Sequence, residues 1–121
     1  MGIRRTVRKD DREGSWATDC PLTAALQVIG GRWSLITLYW LAQGSERFNE
    51  LRRRMPSISH KVLAATLRDL EREGMISRTV IPDVPPKVAY AISDYGRTVT
   101  PLLEATRQWG RGHLEWRARI R

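Results

Sequence analysis

One stretch constrains this chain more than any other: Phe48 to Gly74, FNELRRRMPSISHKVLAATLRDLEREG, which reads as two helices separated by a four-residue turn. In the first helix Phe48, Leu51 and Met55 fall at i, i+3 and i+7, a single apolar stripe on an otherwise charged segment, and Pro56 forbids its continuation. Ser57, Ile58 and Ser59 make the turn. The Ser59 hydroxyl suits an N-cap, Leu63, Leu67 and Leu70 repeat behind it at i, i+4 and i+7, and Gly74 supplies the stop. The opposite face carries His60, Lys61, Ala64 and Arg68, with Ala64 and Ala65 keeping the surface low enough to sit against another body. Such a helix suits the major groove of DNA, although helical hairpins in general share the pattern.

The segment after Gly74 favours the DNA reading. Ile76 to Ile81 is rich in β-formers, Pro82 to Pro86 is a turn with three prolines, and Val88, Tyr90 and Ile92 alternate with smaller residues, which predicts a β-hairpin and hence a wing. The formal net charge of +8 and a pI near 10.7 are spread over many arginines and suit a polyanionic partner. No run approaches the roughly 18 apolar residues of a membrane-spanning helix. The start, MGIRRTVRKDDREG, has no apolar core for a signal peptide, so a cytoplasmic, nucleoid-associated protein without membrane partner is expected. At 121 residues the chain is one domain, and its single cysteine excludes an internal disulfide. His60 and His113 stand far apart without an evident partner, so neither a metal nor a cofactor is expected, and no catalytic constellation appears.

Residues 1–15 offer almost nothing to bury and are expected to form a mobile arm, with the domain running from 16 to 121. Pro21 fits the first position of a helix with Leu22, Ala25, Leu26 and Ile29 on its apolar face and Gly30 and Gly31 at its end. The segment Arg32 to Leu41 is apolar on nearly every side and should be the most buried element, the spine of the core. Trp16, Trp33 and Trp40 belong to that core or, alternatively, line a small-molecule pocket near the dimer interface. Glu46 to Phe48 can add a very short strand to the wing. Ser93 or Asp94 caps a last helix over 94–117, kinked or restarted at Pro101, with Leu102, Ala105, Trp109 and Trp116 on one stripe. Two tryptophans on a terminal helix exceed what a small domain can cover, which predicts a homodimer.

The blocks CPLTAALQVIGGRWSLITLYWL, RFNELRRRMPSISHKVLAATLRDLEREGMI, PDVPPKVAYAISDYGRT and WG occur in the order and spacing of the HxlR-type winged helix-turn-helix transcription regulators, which the chain resembles over about residues 19 to 117. The resemblance implies a mainly α fold with a small β-hairpin: a winged helix-turn-helix over 48–74, a wing over 76–92 and terminal helices that form a dimer interface. That places Leu22, Leu26, Leu102, Ala105, Trp109 and Trp116 between subunits of a bacterial or archaeal homodimer. It also implies binding of double-stranded DNA through the second helix of the motif and the wing, and a dimer is expected to read a palindromic operator. Two positions depart from the family's habit: Ser57 stands where Gly is common, and Ala89, at a strand position expected to be exposed, stands where an acidic residue is frequent.

Within that frame Ser59, His60, Lys61, Ala64 and Arg68 are the groove-facing candidates, and Arg52, Arg53, Arg78 and Lys87 are candidates for the DNA backbone or minor groove. Arg52, Arg53 and Arg54 are consecutive on a helix and cannot all face one ligand. Cys20 sits at the start of the first helix, where unpaired amides favour a thiolate, while Asp19 opposes it. In the resembled family a cysteine at this place senses oxidants or electrophiles in some members; a small buried side chain is the other reading, leaving a ligand as the alternative effector. The competing function class is a winged-helix module that binds an acidic protein partner.

Overall fold

Leucine supplies the centre of this fold: Leu38, Leu41, Leu51, Leu63, Leu67 and Leu70 are each at most 1% exposed. The computed structural model describes residues 20–121, so the arm expected over 1–15 and Trp16 lie outside the described residues. In chain order it comprises α1 (Pro21–Ile29), α2 (Ser34–Gln43), β1 (Glu46–Arg47), α3 (Phe48–Arg54), α4 (His60–Arg72), β2 (Ile76–Ile81), β3 (Lys87–Ile92), a single 3-10 turn (Gly96–Val99) and α5 (Thr100–Arg119). The three strands form one antiparallel sheet in the order β1-β3-β2. The short strand suggested at Glu46 is therefore real, with Glu46 opposite Tyr90 and Arg47 opposite Ala89. Ala89 also faces Thr79 on β2. It sits half-buried in the central strand rather than at the exposed position expected from sequence.

The helix-turn-helix forms where the leucine spacing puts it. Ser59 accepts a hydrogen bond from the Val62 amide at 3.1 Å and so satisfies one of the orphan donors of α4. At the other end Gly74 adopts φ 78°, and the Met75 amide reaches back to the Leu70 carbonyl at 2.9 Å, a closure that favours glycine because a side chain is strained at that φ. Ile58, which sequence places only in a turn, is 3% exposed and plugs the core between α3 and α4. The Thr37 hydroxyl, fully buried on α2, donates to the Met55 sulfur at 3.7 Å.

Two expectations need correcting. The helix expected over Arg32 to Leu41 begins at Ser34 and buries one face only, through Ser34, Thr37, Leu38 and Leu41. Trp33, Leu35, Tyr39 and Trp40 are half-buried and Ile36 is 39% exposed, so α2 is the spine of the core yet turns an apolar flank outward. The last helix does not start at Ser93 or Asp94. Ser93 opens the 3-10 turn instead, donating from Oγ to the Gly74 carbonyl at 2.6 Å and accepting from the Gly96 amide at 2.9 Å. The α-helix starts at Thr100, with Pro101 in its first turn, where a missing amide proton costs nothing. A Cβ on Gly96 would lie 2.0 Å from the Met75 carbonyl oxygen, so glycine is required where this turn crosses the end of the helix-turn-helix.

Within α5 the expected stripe stays open: Trp109 is 72% exposed, Trp116 50% and Leu102 41%, whereas Leu103, outside that stripe, is the side chain that enters the core. On α1 no residue is buried, and Leu22 and Leu26 are 69% and 54% exposed. His113, which seemed partnerless in sequence, stacks between Trp109 and Trp116 with ring centroids 5.2 and 5.9 Å away. Leu67→Ala removes a side chain from the middle of the leucine seam. It is expected to cost about 3 kcal/mol in urea unfolding, and a loss below about 1 kcal/mol would show that the seam is not the main packing contact.

Candidate nucleic-acid interface

Burial of Leu63, Leu67 and Leu70 fixes the rotation of α4 about its axis, and with it the residues that face solvent. Ser59, His60, Lys61 and Arg68 are exposed, as the groove reading requires, whereas Ala64 is half-buried on the shoulder of the helix. The His60 ring packs on Phe48 with centroids 4.5 Å apart, bridging the two helices of the motif. Lys61 and Arg68 share one outer line at i and i+7, and Arg72 extends that line at i+11. Sequence reasoning passed over Arg72 although the same periodicity reaches it. Its guanidinium pairs with Asp69 on the same helix.

The three consecutive arginines separate as their spacing demands. Arg52 and Arg53 are exposed and free to meet a phosphate, lining with Asn49, Pro56 and Ile58 a shallow recess beside the turn. Arg54 is engaged by the protein: its Nε donates to Glu46 Oε2 at 2.7 Å and its guanidinium lies 4.9 Å from the centre of the Trp40 ring. Through this clasp the last residue of α3 holds both β1 and α2. The Arg47 amide donates to Glu50 Oε1 at 2.6 Å and closes the other end of α3. The first helix of the motif is thus held at both ends.

On the wing Arg78 is exposed on β2 opposite Tyr90, and Lys87 begins β3 with its ammonium 3.3 Å from Asp83. That pair is exposed on both sides, so a phosphate can compete for Lys87 at small cost. Val84 at the wing tip is 95% exposed. Cys20 is half-buried directly before Pro21, at the N-cap of α1, and its carbonyl accepts from the Ala24 amide at 2.8 Å. No group of acidic, histidine or cysteine side chains suited to a metal ion occurs among the described residues, and no helix among them is long and apolar enough to cross a membrane.

A two-helix motif whose second helix presents cations over a leucine seam, followed by a two-stranded wing that β1 joins from before the motif, frames the comparison with known proteins. The sequence profile of the HxlR-like helix-turn-helix family matches residues 28–118. The chain belongs to that family. An HTH-type transcriptional regulator of Bacillus subtilis (strain 168), YdeP, is 45% identical over 101 residues, covering 84% of this chain and 75% of the relative. Among solved structures, the redox regulator HypR in its oxidised form is 43% identical with a TM-score of 0.75, covering 77% of this chain and 96% of that one. The reduced form of the transcriptional regulator YodB from B. subtilis is 32% identical with a TM-score of 0.66, covering 74% and 89%. As a member of this HxlR-like family the protein is a transcription regulator with a helix-turn-helix DNA-binding fold, and not an enzyme.

Arg54→Ala removes a partly exposed ion pair and one cation–π contact, so a stability loss of about 1 kcal/mol is expected in chemical denaturation. No loss at all would mean that the clasp does not hold α3.

Proposed function

We propose that the protein is a homodimeric, sequence-specific DNA-binding regulator that reads a palindromic operator with half-sites about one helical turn apart. The observation that carries the reading is the outer line of α4, Lys61 and Arg68 with Ser59 and His60 at its start, on a helix whose orientation the buried leucines leave no freedom to change. Arg52, Arg53, Arg78 and Lys87 flank that line and supply phosphate contacts, while the outer helix supplies base contacts. Dimerisation accounts for the uncovered apolar side chains of the terminal helices: Leu22 and Leu26 on α1, and Leu102, Trp109 and Trp116 with the small Ala105 on α5. A monomeric mass at micromolar concentration in solution would contradict this assignment.

Cys20 is the switch in this reading. The chain has one cysteine, so oxidation joins two molecules, either through a disulfide between Cys20 and the partner's Cys20 or through a mixed disulfide with a small thiol. Support comes from its place at the base of α1, beside the proposed dimer face, and from the likeness to HypR, which is described as a redox regulator.

Two measurements test the reading. Each cation that meets a phosphate should contribute roughly 0.9 to the slope of log affinity against log salt. Lys61→Ala and Arg68→Ala are therefore expected to weaken binding about tenfold or more, and to flatten that slope where the lost contact is to phosphate. Unchanged affinity in both would remove α4 as the reading helix. Binding to DNA from upstream of its own and neighbouring genes, under reductant and after oxidant, tests the switch: oxidant is expected to weaken binding in the wild type and to leave Cys20→Ser unaffected. Equal response of both proteins would remove Cys20 from the mechanism.

A further inference from the structure

The apolar flank of α2 does not lie bare at random. Ile36, Tyr39 and Trp40 of α2 and Leu103 of α5 line an open groove of about 520 Å³ together with the exposed Arg32 and Arg107. Among the described residues no acidic side chain lines it. Small-molecule sites typically hold about 300 to 1,000 Å³ and combine an apolar lining with a few placed polar groups. Both guanidiniums are available. Arg32 rests 5.5 Å from the centre of the Trp33 ring, and Arg107 lies 3.6 Å from Glu104, in an exposed pair that a ligand can displace. A planar guanidinium pairs with a carboxylate through two parallel hydrogen bonds, which an ammonium or a neutral amide does not match.

The groove also lies off the proposed dimer stripe. Leu103 and Arg107 are an i, i+4 pair on α5, whereas Leu102, Trp109 and Trp116 succeed one another at i, i+7 and i+14 on an adjacent face. Trp40 belongs to two neighbourhoods at once. It lines the groove, and it also lines the polar recess with Glu46, Arg53 and Arg54, carrying the Arg54 guanidinium on its ring. Its Nε1 is buried with no hydrogen-bond partner among the described residues, none of which pins the indole by its polar edge. A ligand that shifts this ring shifts the clasp holding α3 to β1.

We propose that this groove is an effector site for a small amphipathic organic anion, an aromatic or short alkyl body bearing one carboxylate. The body lies on Ile36, Tyr39 and Leu103, the carboxylate pairs with Arg32 and Arg107, and Trp40 passes the occupancy to Arg54, Glu46 and the helix-turn-helix. The effector role rests on the DNA-binding reading; binding in the groove does not.

The test uses the full chain in calorimetry with three probes of one shape: 3-phenylpropanoate, its neutral amide 3-phenylpropanamide, and 3-phenylpropylamine. The carboxylate is expected to bind about tenfold tighter than the amide, and an Arg32→Gln/Arg107→Gln variant to reduce it to the level of the amide. Equal binding of all three probes, retained preference in that variant, or no binding of the carboxylate at about 10 mM would overturn the site. The probe comparison needs no variant and stands whether or not the double substitution folds. Absent binding together with conversion of a dimer to a monomer by Ile36→Glu would assign the groove to contact between copies, which also overturns it. For the effector role, DNA that the protein selects from a random pool is titrated with and without the carboxylate. A change of about fivefold or more is expected in the wild type, and none in Arg54→Met, which still binds the carboxylate. No change in the wild type, or the same change in Arg54→Met, overturns the effector role. Failure to select any DNA would refute the DNA-binding reading and leave the calorimetry to decide the site.

Discussion

Everything at the surface proposed to face DNA depends on one packing contact, the seam in which Leu63, Leu67 and Leu70 of α4 enter a core shared with Leu38 and Leu41 of α2 and Leu51 of α3. Helical periodicity makes the buried and exposed faces of α4 inseparable: to bury these three leucines is to turn Lys61 and Arg68 outward. The serine cap and the glycine stop then set its length. From the stop the chain runs directly into β2, so the wing is attached to α4 by a closure of fixed geometry. Ser93 and Gly96 lock the start of the terminal helix onto the same closure. In the proposed reading a regulator needs its reading helix, its wing and its dimer face in fixed relation, and α4, β2 and the start of α5 meet here within a few residues.

The second constraint is electrostatic. A chain of net charge +8 must use some of its cations to hold itself together and leave others for a partner. Arg54 shows how the division is made. It differs from Arg52 and Arg53 only by its rotation on α3, which brings it to Glu46 and the face of Trp40, while its neighbours face solvent. The clasp joins the motif to α2, which is the spine of the core and yet keeps an apolar flank open, so the proposed groove and the helix-turn-helix share one supporting helix.

Most of this was legible in the sequence because it rests on local rules. The leucine spacing, the serine before the second helix, Pro56, Gly74 and the alternating wing strands each act within a few residues, and the structure obeys them. What the sequence hid depends on contacts between distant segments. Ile58 looks like a turn residue until the neighbouring helices are seen to leave a hole for it. Leu103 sits beside a more conspicuous stripe of tryptophans, yet it is the side chain that reaches the core. The all-round apolar character of α2 suggested complete burial, but a domain of this size has too few elements to cover every side of a helix. The start of α5 was misplaced because Ser93 is a good cap residue that caps a 3-10 turn, the α-helix waiting until Pro101 can occupy its first turn. Arg72 was legible and overlooked, being the continuation of a line already drawn through Lys61 and Arg68.

Selection from a pool of random duplexes, carried out in parallel with the wild type and Arg68→Ala, reports most directly on the claim that the outer line of α4 reads DNA as one half of a symmetric pair. The account predicts that the wild type enriches an inverted repeat with half-sites about one helical turn apart. It further predicts that Arg68→Ala relaxes the preference at one symmetric pair of positions while the rest of the repeat survives. Enrichment of no sequence, or the same repeat with the same preferences from both proteins, would contradict it.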